Sequence, residues 1–165
     1  MAMMSTGGGA KRRRNKFLCV VDDTPEVRAA LRFATRRARN VGGGVTLLRV
    51  IPHVQDQHWA GVGELMRAEA REAAENLLHS LAEQVQKDSG IMPELVIREG
   101  DTKTELLALM GEDPSIRILV LAAAPGKQGP GPLVSALAGQ MSGNLAMPIT
   151  IVPGSLSDEQ IDDLT

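Results

Sequence analysis

The sequence predicts an α/β fold with a single five-stranded parallel sheet and helices on both faces. Short apolar runs rich in Val, Ile and Leu alternate along the chain with segments of helical periodicity, which is the order that βαβ units produce. Several of these runs are too apolar to have a face in water, as expected for strands covered on both sides. The length of 165 residues fits one domain with a sizeable core.

The first predicted unit consists of a strand, a helix and a second strand. The apolar run at 17–21 predicts the first strand, and Thr-Pro-Glu at 24–26 provides an N-cap, a proline in the first turn and an early acid for the helix. The glycines at 42–44 end this helix, and the run at 45–51 predicts the second strand. The apolar positions of the helix recur at helical spacing: Val27, Ala30, Leu31, Ala34, Ala38 and Val41.

The middle of the chain predicts the longest helix and the third strand. Residues 64–87 carry one apolar stripe at helical spacing, which includes Met66, and residues 94–98 form a short strand-like run. A T-x-x-E capping box formed by Thr102 and Glu105 then opens a helix at 102–110.

The fourth strand is predicted at 118–123, where every residue is apolar. A loop rich in glycine and proline follows it, Pro132 suits the first turn of a last helix that reaches towards Leu145, and a fifth strand runs from Pro148 to Val152. The carboxyl ends of parallel strands meet at one edge, where open α/β sheets bind ligands. Residues that follow strands one, two and four are therefore predicted to meet there.

The two ends of the chain differ from the body in charge. Residues 1–15 form a basic arm that is predicted to be disordered, residues 16–154 form the domain, and residues 155–165 form an acidic C-terminal tail. The chain has no segment of about 18 apolar residues, so no membrane association is predicted. Cys19 is the sole cysteine and excludes an intrachain disulfide, which fits a cytoplasmic protein.

The composition argues against two classes of function. Aromatic residues make up 2% of the chain and Tyr is absent, which disfavours nucleic-acid recognition by base stacking. No local Ser-His-Asp or Cys-His arrangement indicates a catalytic site, and His53, His58 and His79 lack the spacing of a metal site. No catalytic residue and no metal ligand is therefore assigned.

Four segments together resemble the universal stress protein family. They are KFLCVVDDTPE at 16–26, VTLLRVIP at 45–52, ILVLAAAPGKQG at 118–129 and PITIVPG at 148–154. The resemblance covers 16–154 and implies a Rossmann-like universal stress protein architecture. It also implies a dimeric stress-response regulator that binds ATP, with Mg, or a related adenine nucleotide. The resemblance leaves open whether the protein also hydrolyses ATP slowly or phosphorylates itself.

The resemblance also implies a set of nucleotide-binding residues. The acid after the first strand would contact the ribose or adenine, the end of the second strand would lie along the base, and the loop after the fourth strand would wrap the phosphates. The family's loop pattern G-x2-G-x9-G-[S/T] can be placed in two registers, Gly126/Gly129/Gly139 or Ala122/Gly126/Ser135. The implied residues are Val20, Asp22, Val50, Ala122, Gly126, Lys127, Gly129, Gly131 and Ser135.

Two other functions are compatible with the residues. Prolines at 125, 130 and 132 remove backbone donors from the loop, so the same fold without a nucleotide could act as a protein-interaction module. The pair Asp22 and Asp23 after an apolar strand also fits a receiver-like signalling domain that holds Mg²⁺, although the fifth strand is not followed by the lysine that a receiver needs.

A homodimer is predicted through the last strand. In the family that strand lies at the edge of the sheet and pairs with its mate in a second subunit, and exposed edges favour such pairing. The predicted interface is the segment from Pro148 to Val152.

Overall fold

The computed structural model describes residues 15–53 and 60–165. Within these ranges a single sheet has the strand order β3-β2-β1-β4-β5, and every neighbouring pair is parallel. This confirms the predicted fold class. The basic arm up to residue 14, together with His58, lies outside the described residues. The strands are β1 Lys16–Val20, β2 Gly44–Ile51, β3 Glu94–Glu99, β4 Ile116–Ala123 and β5 Ile149–Pro153.

Helices cover both faces of the sheet. They are α1 Val27–Val41, α2 Ala60–Ser89, α3 Thr102–Glu112, α4 Pro132–Val134 and α5 Asp158–Leu164. The chain after α4 continues as a π-helical segment, Ser135–Gln140, and a 3-10 turn, Ser142–Asn144. None of the described helices is long and apolar enough to cross a bilayer.

Side chains of the central strand alternate between two hydrophobic cores. Phe17 and Cys19 pack towards α1 and α2, and Leu18 and Val20 pack towards α3 and α4. The alternation follows from the two-residue repeat of a strand buried on both faces. Burial raises the pKa of the Cys19 thiol to about 12, so the thiol stays protonated and unreactive.

Several predicted helix boundaries differ from the structure. Helix α1 begins at Val27 with no side-chain cap, because Thr24 is engaged in the preceding turn. The cap of α3 is Asp101 instead of Thr102, since the Asp101 carboxylate accepts from the backbone N–H of Thr104 at 3.0 Å. This hydrogen bond lowers the pKa of Asp101. The predicted helix from Pro132 to Leu145 is α-helical only as far as Val134.

Helix α2 is longer than predicted, and its buried stripe is displaced from the predicted one. It starts at Ala60 instead of residue 64, and Met66, assigned to the apolar stripe, is 47% exposed. The residues of α2 that are buried in the core are Ala74, Leu78, Ala82 and Val85. The first turns of α2 therefore contribute little to the core.

The acidic segment at the C-terminus contains a helix that the sequence analysis did not predict. Ser157 and Gln160 form a capping box at the start of α5, and Ile161 is fully buried against α1 and the sheet. Arg28 of α1 pairs with Asp158, and Arg32 donates two hydrogen bonds to Asp162 at 2.7 and 2.8 Å. The hydrogen bond from Arg32 lowers the pKa of Asp162. Helix α5 thus docks on α1 through both apolar and charged contacts.

The strand order determines where a ligand can bind. The connection after β1 runs to β2 on one side and the connection after β4 runs to β5 on the other side, so a topological switch point lies between β1 and β4. A receiver domain has the order 2-1-3-4-5 instead. The receiver-like alternative is therefore wrong for this chain.

Candidate functional site

A pocket of about 110 Å³ lies at the switch point, where the carboxyl ends of β1 and β4 are neighbours. Its walls come from the turn after β1, the end of β4 and the start of α4. The lining residues are Val20, Asp22, Thr24, Glu26, Val27, Leu121, Ala122, Ala124, Pro130, Gly131, Pro132, Leu133 and Val134. We refer to it as the switch-point pocket.

Asp22 and Asp23 are adjacent in the chain, but their carboxylates accept hydrogen bonds from different residues. The Asp22 carboxylate accepts from the backbone N–H of Thr24 at 2.9 Å and from the Thr24 hydroxyl, which closes a tight turn in front of α1. Asp23 accepts from Arg49 of β2 at 3.0 Å, and Arg49 also donates to the carbonyl of Val21. Asp22 lines the switch-point pocket and Asp23 does not.

The loop after β4 is held in a conformation that requires glycine. Gly126, Gly129 and Gly131 have φ values of 103°, 90° and 105°, a region that other residues rarely adopt. The backbone N–H of Ala124 donates to the carbonyl of Pro130 at 3.1 Å, which closes the loop on itself. Three prolines in and beside the loop lack an N–H, which removes three of the backbone donors that a phosphate could use.

Gly154 allows Glu26 to lie at the edge of the pocket. A Cβ atom at Gly154 would lie 2.5 Å from Cγ of Glu26 and 2.8 Å from the carbonyl oxygen of Ala123. The backbone N–H of Gly154 donates to that same carbonyl, so β5 ends tightly against β4. A side chain at 154 would therefore displace Glu26 or the end of β4.

The ionisable side chains that line the pocket are both acidic. Asp22 and Glu26 contribute carboxylates, and Lys127, the cation among the predicted site residues, is exposed on the loop outside the lining. Carboxylates accept hydrogen bonds from hydroxyl and amino groups, so the pocket suits the ribose or base of a nucleotide better than its phosphates. A phosphate would have to lie towards the loop, near Lys127.

The structure brings together four of the predicted site residues. Val20, Asp22, Ala122 and Gly131 line the switch-point pocket. Val50 is buried in the same core on β2 and does not line it.

The remaining predicted residues lie outside the lining. Gly126, Lys127 and Gly129 are exposed in the loop, and Ser135 is exposed, with its backbone N–H donating to the carbonyl of Gly131. Gly139 lies inside the π-helical segment, where it cannot wrap a phosphate. Of the two registers, the one with Ala122, Gly126 and Ser135 has one residue in the lining, Ala122, and the one with Gly126, Gly129 and Gly139 has none.

Sequence reasoning missed several residues that line the pocket. Glu26 was interpreted only as a helix-start acid, and Thr24 only as a cap. Leu133 and Val134 supply the apolar wall opposite β1, and their apolar pair directly after Pro132 was the available signal. Among the described ranges, no group of three or more His, Cys, Asp or Glu residues is arranged to hold a metal ion.

Comparisons with known proteins agree on one family. A model of the universal stress protein family matches residues 13–140. Universal stress protein UspA from Lactobacillus plantarum is similar in structure, with a TM-score of 0.69 and 18% identity over 84% of this chain and 98% of that chain.

Two further universal stress proteins of similar structure were solved with a nucleotide bound. A universal stress protein from Archaeoglobus fulgidus in complex with dAMP has a TM-score of 0.57 and 16% identity over 84% of this chain and 97% of that chain. A universal stress protein in complex with cAMP has a TM-score of 0.58 and 14% identity over 86% of this chain and 98% of that chain. No curated protein gives a significant sequence match.

Proposed function

The chain belongs to the universal stress protein family, and on that basis we propose that it binds an adenine nucleotide, ATP with Mg or a related one, in the switch-point pocket. It acts as a dimeric stress-response regulator in the cytoplasm, through contacts between proteins instead of through turnover. The observation that carries this proposal is the meeting of Asp22, Ala122 and Gly131 in one pocket between β1 and β4.

The chemistry of the pocket supports a nucleoside as the bound part. The Asp22 carboxylate can accept hydrogen bonds from ribose hydroxyls, and Val20, Leu133 and Val134 offer an apolar surface for the base. Universal stress proteins of similar fold have been solved in complex with dAMP and with cAMP, which supports an adenine nucleotide for this chain.

Adenine nucleotides are expected to raise the melting temperature of the purified protein. A ligand at about a hundred times its Kd stabilises the folded state by about 2.7 kcal/mol, which corresponds to an increase of roughly 5 to 11 °C for a chain of this size. AMP, cAMP and MgATP are compared by thermal shift. Asp22→Asn should weaken binding roughly tenfold, because the amide loses a charged acceptor.

Asp23→Asn is the matched control, because Asp23 is the adjacent acid and pairs with Arg49 outside the pocket. It should leave the nucleotide shift unchanged. A shift that responds equally to both substitutions would place the nucleotide elsewhere.

The second candidate function is the same fold acting without a nucleotide as a protein-interaction module. The pocket of about 110 Å³ favours it, because small-molecule pockets usually measure roughly 300–1,000 Å³. Pro125, Pro130 and Pro132 favour it as well, since they remove donors beside the pocket. If no adenine nucleotide changes the melting temperature, this function replaces the first.

The exposed edge of β5 supports a homodimer. In the described part of the chain β5 pairs with β4 alone, and Ile151 is 40% exposed. The carbonyl of Pro148 and the N–H of Gly154 bond to β4. In a parallel strand the N–H and C=O groups of successive residues point alternately to the two sides of the strand. The backbone groups of Ile149 and Ile151 therefore point away from β4, to the outer edge.

Ile151→Pro is expected to convert the dimer to a monomer with little loss of fold. It removes an N–H that points outwards and none that bonds to β4, and Pro153 already occupies an equivalent position. Light scattering after size exclusion gives the mass. Ile151→Val should stay dimeric, and an Ile151→Pro protein that remains a dimer would exclude pairing through β5.

A further inference from the structure

A second and larger cavity lies between helices α1 and α2. Its volume of about 580 Å³ falls in the range of pockets that bind small molecules, about 300–1,000 Å³. It lies over the face of the sheet that carries α1 and α2, whereas the switch-point pocket opens towards α4. We call it the α1–α2 cleft, defined by Leu31, Thr35 and Arg39 of α1 and Leu77, Leu81 and Val85 of α2.

Each of the two walls of the cleft is formed by residues that are four positions apart on one helix. Leu31, Thr35 and Arg39 are four residues apart on α1 and form one line along the helix, which changes from apolar to cationic. Three apolar residues of α2, also four apart, form the facing wall: Leu77, Leu81 and Val85. Between these walls the cleft therefore has an apolar stretch that leads to a polar end at Arg39.

Thr35 is buried with an unused hydrogen-bonding group. Thr35 is among the residues that line the cleft, it is 5% exposed, and its Oγ1 has no hydrogen-bond partner among the described residues. Buried hydroxyl groups are nearly always paired, because an unpaired one keeps the full cost of desolvation. Because Oγ1 is itself shielded in the unliganded cleft, a polar group bound there would become its partner after rotation of the Thr35 side chain, which has two favoured χ1 rotamers in a helix.

The charges around the cleft leave a cation at its polar end. Arg28, Arg32 and Arg36 share the two α5 acids Asp158 and Asp162. Asp88, the acid that α2 contributes, acts electrostatically on Arg32.

The other charged groups do not neutralise that end. Asp22 and Asp23 lie at the opposite end, before α1, and Asp23 is paired with Arg49. Arg39 has no ion-pair partner within the described part of the chain. An anionic group is therefore complementary to the Arg39 end.

We propose that the α1–α2 cleft binds a monocarboxylate with a medium-length alkyl chain. The chain lies between Leu31, Leu77 and Leu81, and the carboxylate accepts from the Arg39 guanidinium and the Thr35 hydroxyl. Eight residues separate Leu31 from Arg39, which is about 12 Å along the helix axis and suits an extended chain of this kind. The two cavities share Asp22, Thr24 and Val27 in their linings, and none of these three is a contact of the proposed carboxylate or alkyl chain.

The probe is decanoate, titrated into the full-length protein by calorimetry and mapped by methyl NMR. Decanoate should shift the methyl signals of Leu77 and Leu81, and decanol should bind at least tenfold more weakly because it lacks the charge. Arg39→Gln should weaken decanoate binding roughly ten- to a hundredfold. Arg37→Gln is the matched control, since Arg37 lies on the same helix and does not line the cleft; it should bind decanoate as the wild type does.

Thr35→Val separates a binding role from a structural one. The substitution removes the unpaired hydroxyl at nearly constant shape, so the melting temperature of the unliganded protein should not fall, while decanoate should bind roughly tenfold more weakly. The proposal is overturned if decanoate does not bind, if Arg39→Gln behaves as Arg37→Gln does, or if AMP displaces decanoate. Methyl shifts at Leu133 and Val134 instead of Leu77 and Leu81 would overturn it too.

Discussion

Ile161→Ala is expected to detach helix α5 and to lower the free energy of unfolding by about 2 kcal/mol or more. Ile161 is fully buried, and the polar contacts of the short helix α5 with α1 include the exposed Arg28–Asp158 pair and the part-buried Arg32–Asp162 pair. Exposed pairs contribute little by themselves, so we expect the isoleucine to supply a large share of the docking free energy. For a chain of this size the melting temperature should fall by roughly 4 to 8 °C.

Amide hydrogen exchange identifies which part of the molecule is destabilised by Ile161→Ala. The amides of α5 should exchange faster in Ile161→Ala, while those of β1 and β4 keep their protection. Leu164→Ala is the control on the same helix, because Leu164 is 62% exposed, and its effect should stay within about 0.5 kcal/mol. If both variants behave alike, α5 is not docked in solution.

Gly131→Ala is expected to destabilise the protein by about 1 to 3 kcal/mol and to abolish the nucleotide-dependent rise in melting temperature. Gly131 has φ 105° and ψ 160°, a combination that is essentially restricted to glycine. It lines the switch-point pocket and precedes the first turn of α4. An alanine there would force the loop at 124–131 to rearrange, and with it the pocket wall.

Gly139→Ala is the matched control for this substitution. Gly139 lies in the π-helical segment, and a Cβ atom there would meet no other atom within 4 Å. Alanine should therefore be neutral or slightly stabilising, since it reduces the entropy of the unfolded chain, and the nucleotide shift should persist. An equal loss of the shift in both variants would contradict a specific role of Gly131.

The agreement between sequence and structure is best for the strands. The run at 118–123 and the alternation of Phe17, Leu18, Cys19 and Val20 were recognisable because strand burial repeats every two residues and depends on local pattern. The meeting of Asp22 with the loop after β4 was predictable too, because parallel strands place their carboxyl ends at one edge.

Helix ends and the C-terminal helix were predicted less well. Asp101 and Thr102 are both good cap residues, and only the backbone geometry decides which of them accepts the hydrogen bond from Thr104. Helix α5 carried a readable signal in the capping box of Ser157 and Gln160. The high charge of this segment instead indicated a solvated tail. The partners of those charges lie on α1, more than a hundred residues earlier in the chain, where sequence pattern does not reveal them.

The sequence by itself determined the family and the parallel α/β fold, and it placed the candidate nucleotide residues at the carboxyl edge of the sheet, since apolar periodicity and the order of elements are local properties. The tertiary structure alone decided that the switch-point pocket is small and lined by two carboxylates, with Lys127 outside it. It also decided that α1 and α2 enclose a cleft in which the Thr35 hydroxyl is unpaired. The physical reason is that pocket volume, burial and charge pairing depend on distances between residues far apart in the chain, and packing sets those distances.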